Sequence, residues 1–230
     1  MIKFSISKFL RLVDLTQNWI GTTSILFLIS GTYFAFIAPE DYQQRNAVQI
    51  MYMHVPAAWM SLFIYSLMAM FSGMYLVWRH NLYYLISVSA SHIGACFAFI
   101  TLVTGSLWGK PMWGSWWVWD ARLTSMLILF FFYLGYIALN NAFDDQEKAA
   151  KSSSILSLVG FINVPIVKFS VDFFHSLHQG ASIFRKGGPL IHYSMLAPIL
   201  LIFIGFMLYF IWLVILKVKT TIILQRRRRI

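Results

Sequence analysis

Charge and cysteine are what this chain has least of. Only 11% of its 230 residues are charged, and aspartate and glutamate together number 8. A soluble domain of this length needs more polar cover than that, because its outside still faces water. With 59% hydrophobic residues and a mean hydropathy of +0.70, the bilayer supplies the missing solvent. The single cysteine, Cys96, excludes an internal disulfide, a cysteine-based metal cluster and the Cys-x-x-Cys-His motif of covalent haem attachment. Lying in an apolar run, Cys96 reads as packing. The chain also has no Ser-His-Asp spacing, Gly-rich phosphate loop or His-Glu-x-x-His helix, which argues against hydrolysis and ATP use.

What is there is organised as apolar runs about 20 residues long, the length a bilayer demands of a helix. Six emerge, at 19–38, 54–78, 82–107, 123–140, 153–170 and 195–216. The first follows Lys3, Lys8 and Arg11 and is longer than the ~7–15 residues of a signal-peptide core, so it reads as a retained span. The fifth is interrupted by Asn163, Pro165 and Lys168. The expected fold is all-α, a single membrane domain over 1–230 with six transmembrane helices.

The formal charge of +10 would point to nucleic acid in a soluble chain, but here its distribution matters more. Placing the N-terminus inside puts twelve lysines and arginines there, Arg226 to Arg229 among them, against six outside. Both termini are therefore expected to be cytoplasmic, with the basic tail a topology anchor that also attracts anionic lipid. The outer connections are then 39–53, 108–122 and 171–194, the last two long, while the inner ones are short. No nucleic-acid partner is implied.

The stretch Trp108-Gly-Lys-Pro-Met-Trp-Gly-Ser-Trp-Trp-Val-Trp-Asp120 holds five of the nine tryptophans. An interfacial aromatic belt explains one or two tryptophans at a helix end and explains five poorly. Trp108, Trp113, Trp116, Trp117 and Trp119 offer indole faces to a flat, conjugated ligand, and Gly109 and Gly114 let the backbone approach it. Asp120 and Arg122 follow; Arg122 can pair with a carboxylate-bearing ligand, or the two can simply tie to each other.

Six histidines complete the inventory. His80 reads as a solvated turn residue, and His92, within the third span, as the donor or acceptor of an interhelical bond. His54 stands at the outer end of the second span, where Pro56 suits a first helical turn. His175 and His178 share the last outer connection with His54's side of the membrane. Two neutral imidazoles on one surface beside an indole platform are a candidate pair of axial ligands for haem iron. Spacing alone does not choose between His175 and His178, and the role of His192 stays open.

The string WGKPMWGSWWVWDARLTS resembles the WWD signature of haem-handling membrane proteins. Within that group the chain is similar to the cytochrome c maturation protein C family, CcmC, through His54-Val-Pro56, Leu177-His178-Gln179 and its short length, from about Tyr33 to Tyr209. The resemblance implies a multi-pass protein of the bacterial inner membrane with two long periplasmic loops, the WWD motif at 108–122 lying in one of them. It implies that the protein is not an enzyme. It would hold haem b non-covalently and transiently, with His54 and His178 as axial ligands, and deliver it to the haem chaperone CcmE. Partners implied are the small membrane protein CcmD and the ABC transporter subunits CcmA and CcmB. Two other classes stay open: a haem lyase of the CcmF or CcsA type, and a small-solute transporter, which should show polar groups at the midplane and discontinuous helices.

Overall fold

The computed structural model describes residues 6–180, 182–183, 185 and 187–227. Of the charges used above to set orientation, Lys3, Lys186, Arg228 and Arg229 lie outside the described residues. Among those described there is no β-strand, and six helices are long and apolar enough to cross a membrane. They are α1 (Ile6–Ile37), α2 (Met51–Trp78), α3 (Asn81–Trp113), α4 (Ala121–Asn141), a fifth span split into α5 (Gln146–Phe161) and α6 (Asn163–Phe173), and α7 (Tyr193–Arg227).

Their ends follow from local chemistry. α2 stops at Arg79, whose left-handed backbone (φ 53°) returns its N–H to the Tyr75 carbonyl. His80 then caps α3, its Nδ1 accepting from the Leu82 N–H, a structural task beyond the solvated role expected of it. Asp120 caps α4 through Leu123, and Asp145 caps α5 through Glu147 and Lys148. α3 overruns the sequence boundary. Gly109 and Pro111 do not stop it, and Trp108 to Trp113 are its last turns rather than loop. The break comes at Gly114, left-handed at φ 75°, where its N–H caps the Lys110 carbonyl.

The fifth span is interrupted at Ile162. Pro165, in the first turn of α6, leaves no buried helical N–H unmade there. The buried Asn163 side chain donates to the Ser125 carbonyl of α4 at 2.8 Å, tying the break to its neighbour.

α2 and α3 form the centre, with Met60, Ile64, Met68 and Ala98 buried among Tyr133, Leu129 and Ile199 from α4 and α7. Tyr133 lies flat against Gly94, where no side chain would fit, and its hydroxyl donates to the Ser61 carbonyl at 2.7 Å. α1 packs chiefly on α7, close enough that a Cβ on Gly31 would stand 2.7 Å from Ile202 and one on Gly205 2.7 Å from Leu28. Ser24 donates to the Gly205 carbonyl within the same seam.

Outward faces carry Trp19, Phe36, Val77, Phe131 and Ile162, a surface that only lipid or apolar protein can cover. Two polar residues correct their readings. Cys96 is exposed rather than packed inside, and His92, one turn earlier on α3, bonds the Val88 carbonyl of its own helix instead of a neighbouring one. Their shared outward face explains both.

Candidate functional site

α2 begins just after a 3-10 turn (Asn46–Ile50), and this placement seats His54, only 9% exposed, against the last turns of α3. Thr101, Thr104 and Trp108 recur there at helical spacing and so share a face with Gly105. A Cβ on Gly105 would stand 3.0 Å from the His54 ring. Trp108 meets that ring edge-on, centres 5.6 Å apart, and fixes its own N–H on the Gln44 side chain. The Thr104 hydroxyl lies 3.0 Å from His54 Nδ1 but already spends its one proton on the Ile100 carbonyl. It must therefore accept from His54, so Nδ1 carries the hydrogen and Nε2 keeps a free lone pair.

His178 arrives from the connection after α6. The centres of the two imidazoles are 6.4 Å apart, their planes tilted by 33°. Trp113, at the end of α3, flanks His178 with centres 6.3 Å apart. The loop bearing His178 is latched to α4: the Ser176 hydroxyl donates to Asp120 and accepts the His178 backbone N–H. Arg122 reaches the same place, its guanidinium donating to Ser170 and the Lys168 carbonyl of α6 and lying 3.3 Å from His178 Nδ1. Burial, with the Arg122 charge adding to it, holds the His178 ring below the ordinary histidine pKa, while hydrogen bonding to Gln179 opposes this. Asp120 and Arg122 interact electrostatically, while their hydrogen bonds go to Leu123 and Ser176 on one side and to Ser170, Lys168 and His178 on the other.

The tryptophans divide by position rather than forming one platform. Trp108 and Trp113 flank the histidines, and Trp117 is half-buried with an indole N–H that is buried and unpartnered. Trp119 meets Trp117 edge-on at 5.6 Å and is exposed, as is Trp116, beneath the Lys110 ammonium. Gly109 packs against Trp113 and the Ser115 carbonyl, and Gly114 is the helix stop. His175 and His192 are exposed and stand outside this cluster. Gln44, Thr104, Gly105, Ser170 and Ser176 escaped the sequence reading; the recurrence of Thr104 one turn before Trp108 is the only cue that bears on any of them.

With metal–imidazole bonds of about 2 Å and roughly 1 Å from each nitrogen to its ring centre, one metal shared by two facing rings sets their centres about 6 Å apart. Two imidazoles cannot hold a bare ion securely, and no group of three or more His, Cys, Asp or Glu that could hold one occurs among the described residues. A metal whose other ligands arrive with it, as in a porphyrin, suits the pair. The unpartnered Trp117 N–H and the Arg122 fork are donors for such a ligand's polar edge.

The family model described as Heme exporter protein C matches residues 3–230. Heme exporter protein C of Bradyrhizobium diazoefficiens is 46% identical over 222 residues, 96% of this chain and 84% of that one. Its Escherichia coli K12 counterpart is 44% identical over 212 residues, covering 92% and 85%. A mitochondrial protein of Marchantia polymorpha, described as ccmC-like in cytochrome c biosynthesis, is 53% identical over 171 residues, 74% of this chain and 72% of that one.

Proposed function

Because this chain belongs to the Heme exporter protein C family, we propose that it holds haem b between His54 and His178 at the periplasmic face of a bacterial inner membrane and delivers it to the chaperone CcmE. Membership, with six helices able to cross a membrane, supports a multi-pass membrane protein that handles haem in cytochrome c biogenesis and favours a transfer role.

The observation that carries the proposal is the pair of imidazoles at 6.4 Å, the separation two ligands of one iron adopt. The Thr104 lock on His54 adds to it, since a ligating imidazole needs its other nitrogen tied to an acceptor. Trp108, Trp113 and Trp117 then wall the macrocycle, and Arg122 meets a propionate. Binding is non-covalent, as the one thiol lies on the outward face of α3.

The two ligands are held unequally, and this asymmetry suits delivery. His54 sits on a helix against α3, whereas His178 hangs on a loop through Ser176 and Asp120. His178 can therefore let go first, exposing one face of the haem beside the exposed Trp116 and Trp119, where the chaperone docks. CcmD and the transporter subunits CcmA and CcmB are the further partners of this reading.

A small-solute transporter would claim the break at Ile162 and the buried serines of α2, α3 and α5, Ser72, Ser87 and Ser157 among them. The buried Asn163 amide there is spent on the Ser125 carbonyl, which favours haem transfer over solute passage.

Replacing His54 and His178 together with alanine is the test. Loss of the low-spin haem spectrum of the purified protein, together with loss of chaperone loading, is expected. An unchanged spectrum would overturn the ligand assignment.

A further inference from the structure

His178 Nδ1 has two neighbours that make opposite demands on it. The Gln179 carbonyl, 3.1 Å away, can only accept, so it requires a hydrogen on Nδ1. The Arg122 guanidinium, 3.3 Å away, can only donate, so it requires Nδ1 to be bare. A neutral imidazole has one hydrogen to place. If Nδ1 satisfies Gln179, Nε2 is free to bind metal; if Nδ1 satisfies Arg122, Nε2 carries the hydrogen and is blocked. No such conflict exists at His54, where the Thr104 hydroxyl, its proton given to the Ile100 carbonyl, is left to accept.

Arg122 has a stronger partner available than a ring nitrogen. A carboxylate takes a guanidinium through charge-assisted, often paired hydrogen bonds. Its drawing off Arg122 would leave Gln179 as the sole partner of Nδ1 and bare Nε2 in the same event. The ring stays neutral throughout, its hydrogen passing from Nε2 to Nδ1.

We infer that Arg122 is a positioning residue which withholds the iron-binding nitrogen of His178 until a carboxylate of the incoming ligand engages the guanidinium. The site would thereby admit six-coordinate iron only from a porphyrin bearing free carboxylates on that edge, and removal of the carboxylate contact would loosen His178 for release. This rests on the axial-ligand reading above.

The test compares iron protoporphyrin IX with its dimethyl ester on the detergent-purified full chain. In the wild type the free acid should give a low-spin, six-coordinate spectrum, and the ester should give the spectrum of His178→Ala loaded with the free acid. In Arg122→Leu, which cannot block Nδ1, acid and ester should both reach six-coordination; Arg122→Lys, which keeps a donor, should still distinguish them. Equal low-spin spectra for acid and ester in the wild type would overturn the inference. A second measurement needs no variant to fold with haem: ¹⁵N resonances of labelled histidine in the ligand-free protein, with His178 assigned by its absence in His178→Ala. Hydrogen on Nε2 is expected, and hydrogen on Nδ1 would overturn the inference. If His178→Ala leaves the free-acid spectrum unaltered, the axial assignment itself falls; if that variant loses it and the wild type still ligates the ester, only the coupling through Arg122 falls.

Discussion

Thr104 has a single hydroxyl proton, and its donation to the Ile100 carbonyl dictates which nitrogen of His54 is free. Thr104→Val keeps the shape and removes the acceptor. Haem retention is expected to weaken by roughly 10-fold, the lower bound for losing an outer-shell partner of a ligand. The rate of haem loss to a soluble scavenger reads it, and a wild-type rate would show that Thr104 does not orient the ring. His178 supplies a pH dependence of known sign. Its pKa lies below the ordinary value, chiefly through burial, so the folded ring stays neutral where an unfolded one, with a pKa of about 6.5, takes up a proton. The unfolded chain then binds more protons, and stability falls as pH drops through the range just under that value. The melting temperature of the ligand-free protein should fall more between pH 7 and 5.5 than that of His178→Gln; parallel falls would remove the assignment. His54, His175 and His178 stood out because an imidazole at a membrane edge is rare, while the choice of His178 over His175 came from the family resemblance alone. Thr104 and Ser176 were not legible, since hydroxyl residues abound in the chain and only the fold brings Thr104 to the His54 ring and Ser176 to Asp120 and the His178 backbone.

Helix ends are where sequence and structure part. Gly109 and Pro111 are ordinary stop signals, yet α3 continues to Trp113 because Trp108 and Trp113 pack beside the histidines and Gly114 supplies the left-handed turn. The loop between α3 and α4 is correspondingly short, and two of the five tryptophans belong to a rigid helix. The fifth span shows the opposite: Asn163 and Pro165 signal an interruption, and the helix does break beside them, at Ile162. α6 matters because Lys168 and Ser170 hold Arg122. Asn163→Leu removes the tie to α4, which should cost about 1 kcal/mol, in line with buried polar contacts between membrane helices. A lower melting temperature in detergent is expected together with faster haem loss. Loss of neither would mean that the break is held by packing alone.

The number of spans and their order were legible, since hydropathy responds to the bilayer and not to the packing between helices. Their sidedness rests on the lysine and arginine bias, and labelling can check it. With Cys96 replaced by serine, a cysteine at the exposed Trp119 should react with an impermeant maleimide in spheroplasts, while one at the exposed Glu147 should react only after permeabilisation. Reaction of both from outside would refute the orientation. What hydropathy could not reveal is pairing, because glycine seams such as Gly31 against Ile202 depend on partners far apart in the chain. Ser24 and Gly205, joined by a hydrogen bond, lie 181 residues apart. At roughly 5–20 residues per second of synthesis, α1 waits on the order of 10–40 s before α7 exists to receive it. During that interval the insertion machinery or the surrounding lipid must chaperone an unmated first helix. Truncating the chain before α7 would thus orphan its opening segment as surely as deleting it.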